Sequence, residues 1–305
     1  MFWLVALASL PASASVDIVH RDGFDQRFGF QIQTPVVTVQ PGQSASFCYY
    51  SHMPNTSTLG IRRWLSTLGP GIDRLIAYTT PTDRQPANTL TQTPCGLNTG
   101  EGLGSFIYIT HNPQEDLVFP NNDGEGLPLA MEIVPATPVV LEMFVSNYTS
   151  DSITTSALLV AEAMDPSKPY SKSATYVAQR SDMSVPPNST GFVVQNTCAV
   201  PTGAKFWWLS TRTHRFATSS AISDGASQIS FTTDWEHPDI AEFPVPPFYS
   251  FVSSGLTYRC VYDNPTNTTI RAGDNEFSQE VCMAISYFFP APTGSKVCID
   301  GTGPL

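Results

Sequence analysis

The stretch "STRTHRF" (Ser210 to Phe216) closes an apolar run, "KFWWL", and carries one imidazole, His214. In a strand, residues two apart share a face, so a histidine at position 212 would make with His214 a pair of nitrogen donors for a metal. Position 212 is arginine, a permanently charged group with no lone pair to give. Other chemistry-bearing side chains are scattered. His52 beside Met53 joins an imidazole to a thioether, but the proline turn that follows favours a surface loop over a ligand pair. "DWEHPD" (Asp234 to Asp239) gathers carboxylates around Trp235 without the six or more oxygens of a calcium site, and reads as a solvated loop. His20, His111 and His237 lie in separate polar contexts and form no constellation. A Gly-Xaa-Ser-Xaa-Gly elbow is lacking, so nothing marks a serine hydrolase.

The elements that must position these groups are strands. Runs such as "PVVTV", "SFCYY", "RLIAYTT", "VVLEMFV", "KFWWLST" and "VCMAISYFF" recur between Pro, Gly and Asn. Their lengths and punctuation predict an all-β chain of sandwich or jelly-roll type. The aromatics of "KFWWL" and "SYFFPAP" fall within such runs and read as core, with a carbohydrate or peptide platform as the competing reading. The most polar, proline-punctuated segment runs from Asp165 to Asn188 and places a domain boundary near residue 180. Two echoes suggest related halves. "VVTVQPGQSASFC" (Val36 to Cys48) is similar in layout to "DMSVPPNSTGFVVQNTC" (Asp182 to Cys198), and "WLST" occurs at Trp64 to Thr67 and at Trp208 to Thr211.

Composition bounds the class. The 305 residues suffice for two domains, and only 13% are charged. A net charge of −11 with no Lys/Arg run excludes a nucleic-acid reader. The opening "MFWLVALASLPASAS" fits a secretory signal over residues 1–15, and no later stretch approaches a membrane helix. The expected location is therefore secreted, periplasmic or otherwise extracellular, without membrane insertion. Six cysteines, none spaced as Cys-Xaa-Xaa-Cys, suit three disulfides, with two cysteines in the first half and four in the second. Four tripeptides, starting at Asn55, Asn147, Asn188 and Asn267, meet the rule for N-linked glycan acceptors and are read as surface turns.

In the second half, "TYRCVYDNPTN" (Thr257 to Asn267) followed by "SQEVCMAISYFFPA" (Ser278 to Ala291) resembles the C-terminal domain of the copper type II, ascorbate-dependent monooxygenases. "GPGIDRLIAYTT" (Gly69 to Thr80) and "GLPLAMEIVPATPVVLEMFVSNYTSD" (Gly126 to Asp151) look like the family's N-terminal ligand-bearing segments. The resemblance implies two tandem jelly-roll β-sandwich domains with disulfides, residues 16–180 and 181–305, facing one another across a solvent-filled cleft. It also implies bridges Cys48 to Cys95, Cys198 to Cys298 and Cys260 to Cys282. Its copper ligands would fall on Asp73, Arg74 and Phe144 in the first domain and on Arg212, His214 and Val281 in the second. His214 alone keeps a ligand residue, and Met283, two residues from Val281 on the same strand face, is a substitute thioether donor. Copper needs imidazole and thioether donors in a fixed array, so no cofactor is expected. The expectation is a catalytically inactive secreted module that binds a peptide, a small ligand or another exported protein. The alternative is an active copper- and ascorbate-dependent monooxygenase with substituted ligands. Ion pairs of Asp73 with Arg74 and of Arg212 with Glu280 are expected to fill the vacated positions.

Overall fold

A computed structural model describes residues 28–92, 95, 104–253 and 255–302. The proposed signal segment and His20 lie outside them. Among the described residues there are 24 strands and no helix. The first half holds β1 (Phe28–Gln33), β2 (Val37–Val39), β3 (Ser44–His52), β4 (Leu59–Leu68), β5 (Ile72–Thr79), β6 (Thr89–Thr91), β7 (Ser105–Thr110), β8 (Gln114–Val118), β9 (Leu129–Ile133), β10 (Pro138–Ser146), β11 (Ile153–Thr155) and β12 (Ala157–Ala163). The second holds β13 (Ser171–Gln179), β14 (Ser184–Val185), β15 (Ser189–Ala199), β16 (Lys205–Arg212), β17 (Ala217–Asp224), β18 (Ser227–Thr232), β19 (Ile240–Glu242), β20 (Gly255–Asn264), β21 (Ile270–Ala272), β22 (Gln279–Glu280), β23 (Met283–Phe289) and β24 (Lys296–Ile299).

Each half is a jelly roll. In the first, one sheet runs β1-β12-β4-β9 and the other β3-β10-β5-β7; in the second, the corresponding orders are β13-β23-β16-β19 and β15-β20-β17-β18. Counting the eight main strands of either half from its start, both give 1-8-3-6 against 2-7-4-5, the pairing of two nested Greek keys. The sequence echoes fall on equivalent strands. Cys48 and Cys198 lie on the second strand of each roll, and Trp64 and Trp208 on the third. The three disulfides join Cys48 to Cys95, Cys198 to Cys298 and Cys260 to Cys282.

Two expectations need correction. The changeover between rolls lies ahead of β13, not near residue 180, because β13 pairs with β23 and belongs to the second roll. The segment looks polar, yet "SATYVAQ" within it is buried throughout. Nor does solvent fill the whole of the space between the rolls. β9 and β13 pair in parallel and join the two first sheets into one ten-stranded sheet. One apolar core also takes residues from both halves. Strand alternation explains this: Met283, Ile285, Tyr287 and Phe289 of β23 turn toward the first roll, while Ala284 and Phe288 face their own. Tyr287 stacks on Trp207 at 4.9 Å between ring centres, Phe119 of the first roll lies 4.8 Å from Trp207, and the Tyr287 hydroxyl donates to the Ile107 carbonyl at 2.8 Å. The aromatics of "KFWWL" and "SYFFPAP" are thus core and not an exposed platform.

Candidate functional site between the two rolls

Of the positions named from the resemblance, Arg74, Phe144, Arg212, His214 and Met283 lie together at the junction of the rolls. Arg74 on β5 is the cross-strand neighbour of Phe144 on β10, and Arg212 on β16 is the neighbour of Met283 on β23. His214 follows Arg212 by two residues and is fully buried. Its Nδ1 lies 3.0 Å from the Gln279 carbonyl, an acceptor only, so Nδ1 carries the proton and donates. The lone pair is therefore on Nε2, where Arg212 Nη2 donates to it at 3.3 Å. Burial, then the charges of Arg212 and Arg74, holds the His214 imidazole well below its ordinary pKa and therefore neutral. The other guanidinium arm, Nη1, lies 3.7 Å from the Met283 sulfur. Both soft donors that a copper ion would use thus have their lone pairs turned to one guanidinium.

The first-roll position is also filled by charge. Arg74 is buried, lies 5.7 Å above the Phe144 ring, and its Nη1 contacts Glu276 of the second roll. Asp73 does not pair with it, because adjacent strand residues point to opposite faces and Asp73 is exposed. Glu280 does not pair with Arg212 either. Its two oxygens accept from the backbone N–H groups of His214, at 2.8 Å, and Phe216, at 2.7 Å, shaping the turn that follows β16. Desolvation pushes the Glu280 carboxyl up to about 8. The carboxylates facing Arg212 are Asp274, at 4.0 Å, and Glu142 on β10. Glu142 is fully buried with neither oxygen hydrogen-bonded among the described residues, and burial raises its pKa while Arg212 and Arg74 lower it. Charge–charge attraction in a poorly solvated space, more than saturated hydrogen bonding, therefore holds this cluster.

The donor set does not fit copper. A guanidinium occupies the space between His214 and Met283, and Arg74 and Phe144 offer no lone pair to a metal. Among the described residues no three His, Cys, Asp or Glu side chains are placed to hold a metal ion. His52 binds Asp83 at 2.7 Å while Met53 is buried, so that dipeptide is split between two surroundings. In "DWEHPD", Asp234 Oδ1 accepts from the N–H groups of Glu236 and His237, as a solvated turn does.

Of the solvent-filled cleft that the resemblance implies, an open cleft of about 460 Å³ is present beside the charge cluster, and its lining is not marked by the sequence. Asp73, Arg74 and Phe144 line it from the first roll, and Trp235, His237 and Phe277 from the second. His111 and His237, which look unrelated along the chain, meet across the junction with ring centres 6.5 Å apart. The exposed aromatics that could serve recognition are here: Phe277 at 45% and Tyr148 at 86% exposure. Nothing in local patterning marks them, since each sits in a polar turn.

No family model matches the chain, and no curated protein matches it. Among solved structures, it overlaps the major capsid protein P2 from bacteriophage PM2 with 7% identity and a TM-score of 0.31, over 85% of this chain and 96% of that one. PBCV-1 VP54, fitted into a reconstruction of the virophage Sputnik, overlaps with 9% identity and a TM-score of 0.27, over 89% and 95%. Overlaps of this size carry no functional argument; the two-roll topology follows from the strand pairing itself. Fold and site together define a disulfide-bridged double jelly roll with a charge-filled junction.

Proposed function

We propose that this chain is a secreted relative of the copper type II, ascorbate-dependent monooxygenases that has given up copper chemistry and acts as a binding module. The observation that carries the reading is the Arg212 guanidinium directed at both His214 Nε2 and Met283 Sδ. The three disulfides are those the resemblance implies, which supports the kinship. An internal cation serves where the family keeps a metal, so the junction closes without a cofactor. Binding then falls to the cleft beside it, where Trp235, Phe277 and Tyr148 offer apolar faces among polar groups. The partner is a peptide, a small ligand or an exported protein.

The test is the copper content of the purified mature protein after copper loading, together with oxygen uptake driven by ascorbate. This reading expects neither retained copper nor ascorbate-dependent uptake above the protein-free rate. Near-stoichiometric copper with turnover would establish the alternative, an active monooxygenase with substituted ligands.

A further inference from the structure

The four Asn-Xaa-Ser/Thr tripeptides have two different physical causes. Asn147 directly follows β10, the seventh main strand of the first roll, and is 1% exposed. Its Nδ2 donates to the carbonyls of Val39 at 2.9 Å and Asp151 at 2.8 Å, while its Oδ1 accepts from the Thr149 N–H at 3.0 Å and hydroxyl at 2.7 Å. Asn264 ends β20, the seventh main strand of the second roll, and repeats the arrangement. Its Nδ2 donates to Val185, Pro186 and Thr268, and its Oδ1 accepts from the Thr266 N–H at 3.0 Å and hydroxyl at 2.7 Å. Val39 and Val185 lie on the equivalent short strands β2 and β14. At Asn264 the middle residue is Pro265, which forbids glycan transfer, yet the Asn and Thr are still there. The Asn-Xaa-Thr pattern at this corner therefore serves the turn, with the threonine closing it. Asn55 is similar in kind: 4% exposed, with Nδ2 donating to Ser57 at 2.8 Å and Ile133 at 3.1 Å.

Asn188 and Asn267 differ. Both are exposed, and neither side-chain amide is committed to a partner among the described residues. They share one corner of the second roll, where the Asn188 N–H donates to the Thr266 carbonyl at 3.0 Å. Asn188 has φ of 50°, a left-handed turn conformation that asparagine tolerates, and it borders an open surface groove with Arg215 and Pro265. We infer that Asn188 and Asn267 are the two N-glycan acceptor sites of the folded chain, and that Asn55 and Asn147 are structural asparagines closed to modification. In the transfer, a bond forms between Nδ2 and the anomeric carbon of a lipid-diphosphate-linked oligosaccharide. The bond from that carbon to the diphosphate breaks, and an amide proton is lost. At Asn55 and Asn147 this removes a hydrogen already donated inside the protein and leaves the sugar no exit; at Asn188 and Asn267 it disturbs nothing.

The experiment is secretion of the full mature chain from a eukaryotic host, followed by peptide mass mapping after amidase deglycosylation, which converts each glycosylated Asn to Asp. Conversion is expected at Asn188 and Asn267 and not at Asn55 or Asn147. Thr190→Ala, which breaks the Asn188 tripeptide without altering the left-handed Asn188, and Asn267→Gln should each remove one glycan and leave the melting temperature unchanged. Asn147→Gln should remove none and lower the melting temperature by several degrees. The inference is overturned by conversion at Asn55 or Asn147 in secreted chains holding all three disulfides, or by its absence from both Asn188 and Asn267.

Discussion

At the scale of single residues, a guanidinium can be accepted where a metal ion would sit because it is a cation that donates to the same lone pairs. What differs is reversibility: arginine cannot change oxidation state or exchange a ligand. The absence of donors is legible in the sequence, since Arg74, Phe144 and Arg212 stand where the resemblance would place donors, but the partners of these residues are not. Arg74 meets Glu276 from the other half of the chain, whereas its sequence neighbour Asp73 faces away. Only the fold supplies that pairing. Glu280 gives a pH signature. Its folded carboxyl titrates near 8 while the unfolded one titrates near 4.5, so between these values the native state holds a proton that the unfolded state has lost. Stability contributed by this group is full at low pH and falls as pH rises toward 8. The neutral imidazoles of half-buried His111 and buried His214 act oppositely, costing stability as pH falls below the unfolded imidazole value of about 6.5. Between pH 6.5 and 8 the carboxyl dominates, and denaturant melts should lose about 2 kcal/mol over that interval. In Glu280→Gln the slope should shrink; an unchanged slope would reject the assignment.

At the scale of elements, the strand runs and the disulfide count were readable because turn residues punctuate them and cysteines are few. The faces were not. "VCMAISYFF" is apolar but for Ser286, which marks burial on both sides but not that the second side belongs to another roll. Polar flanks likewise hid β13, moving the apparent boundary past it. On the face of β23 turned to the first roll, the hydroxyl and the ring of Tyr287 give separable outcomes. Tyr287→Phe removes only the hydroxyl that donates to Ile107, and a loss of about 1 kcal/mol is expected. Tyr287→Ala also empties the stack with Trp207 and should cost about 3–5 kcal/mol. Equilibrium unfolding of both variants checks this; equal losses would mean that the ring packing contributes nothing.

At the scale of the whole molecule, the shared core and the charges that cross it make the two rolls one cooperative unit. Arg74 of the first roll contacts Glu276 of the second, while Arg212 of the second faces Glu142 of the first, so each roll supplies a cation to the other's carboxylate. Calorimetry should give a single transition. Truncating Arg74 to Ala leaves Glu276 buried and unmatched, and should cost about 3–5 kcal/mol. The double variant with Glu276→Ala should recover part of that loss; strict additivity would mean the pair is not coupled. The central claim, that Arg212 holds the place of a metal, is tested most directly by anaerobic Cu(I) titration of the mature wild type beside Arg212→His. The variant places an imidazole two residues before His214 and opposite Met283. The expected result is no retained Cu(I) in the wild type, and in the variant one bound Cu(I) that raises its melting temperature. Tight Cu(I) binding by the wild type, lost when His214 or Met283 is replaced by Ala, would contradict it.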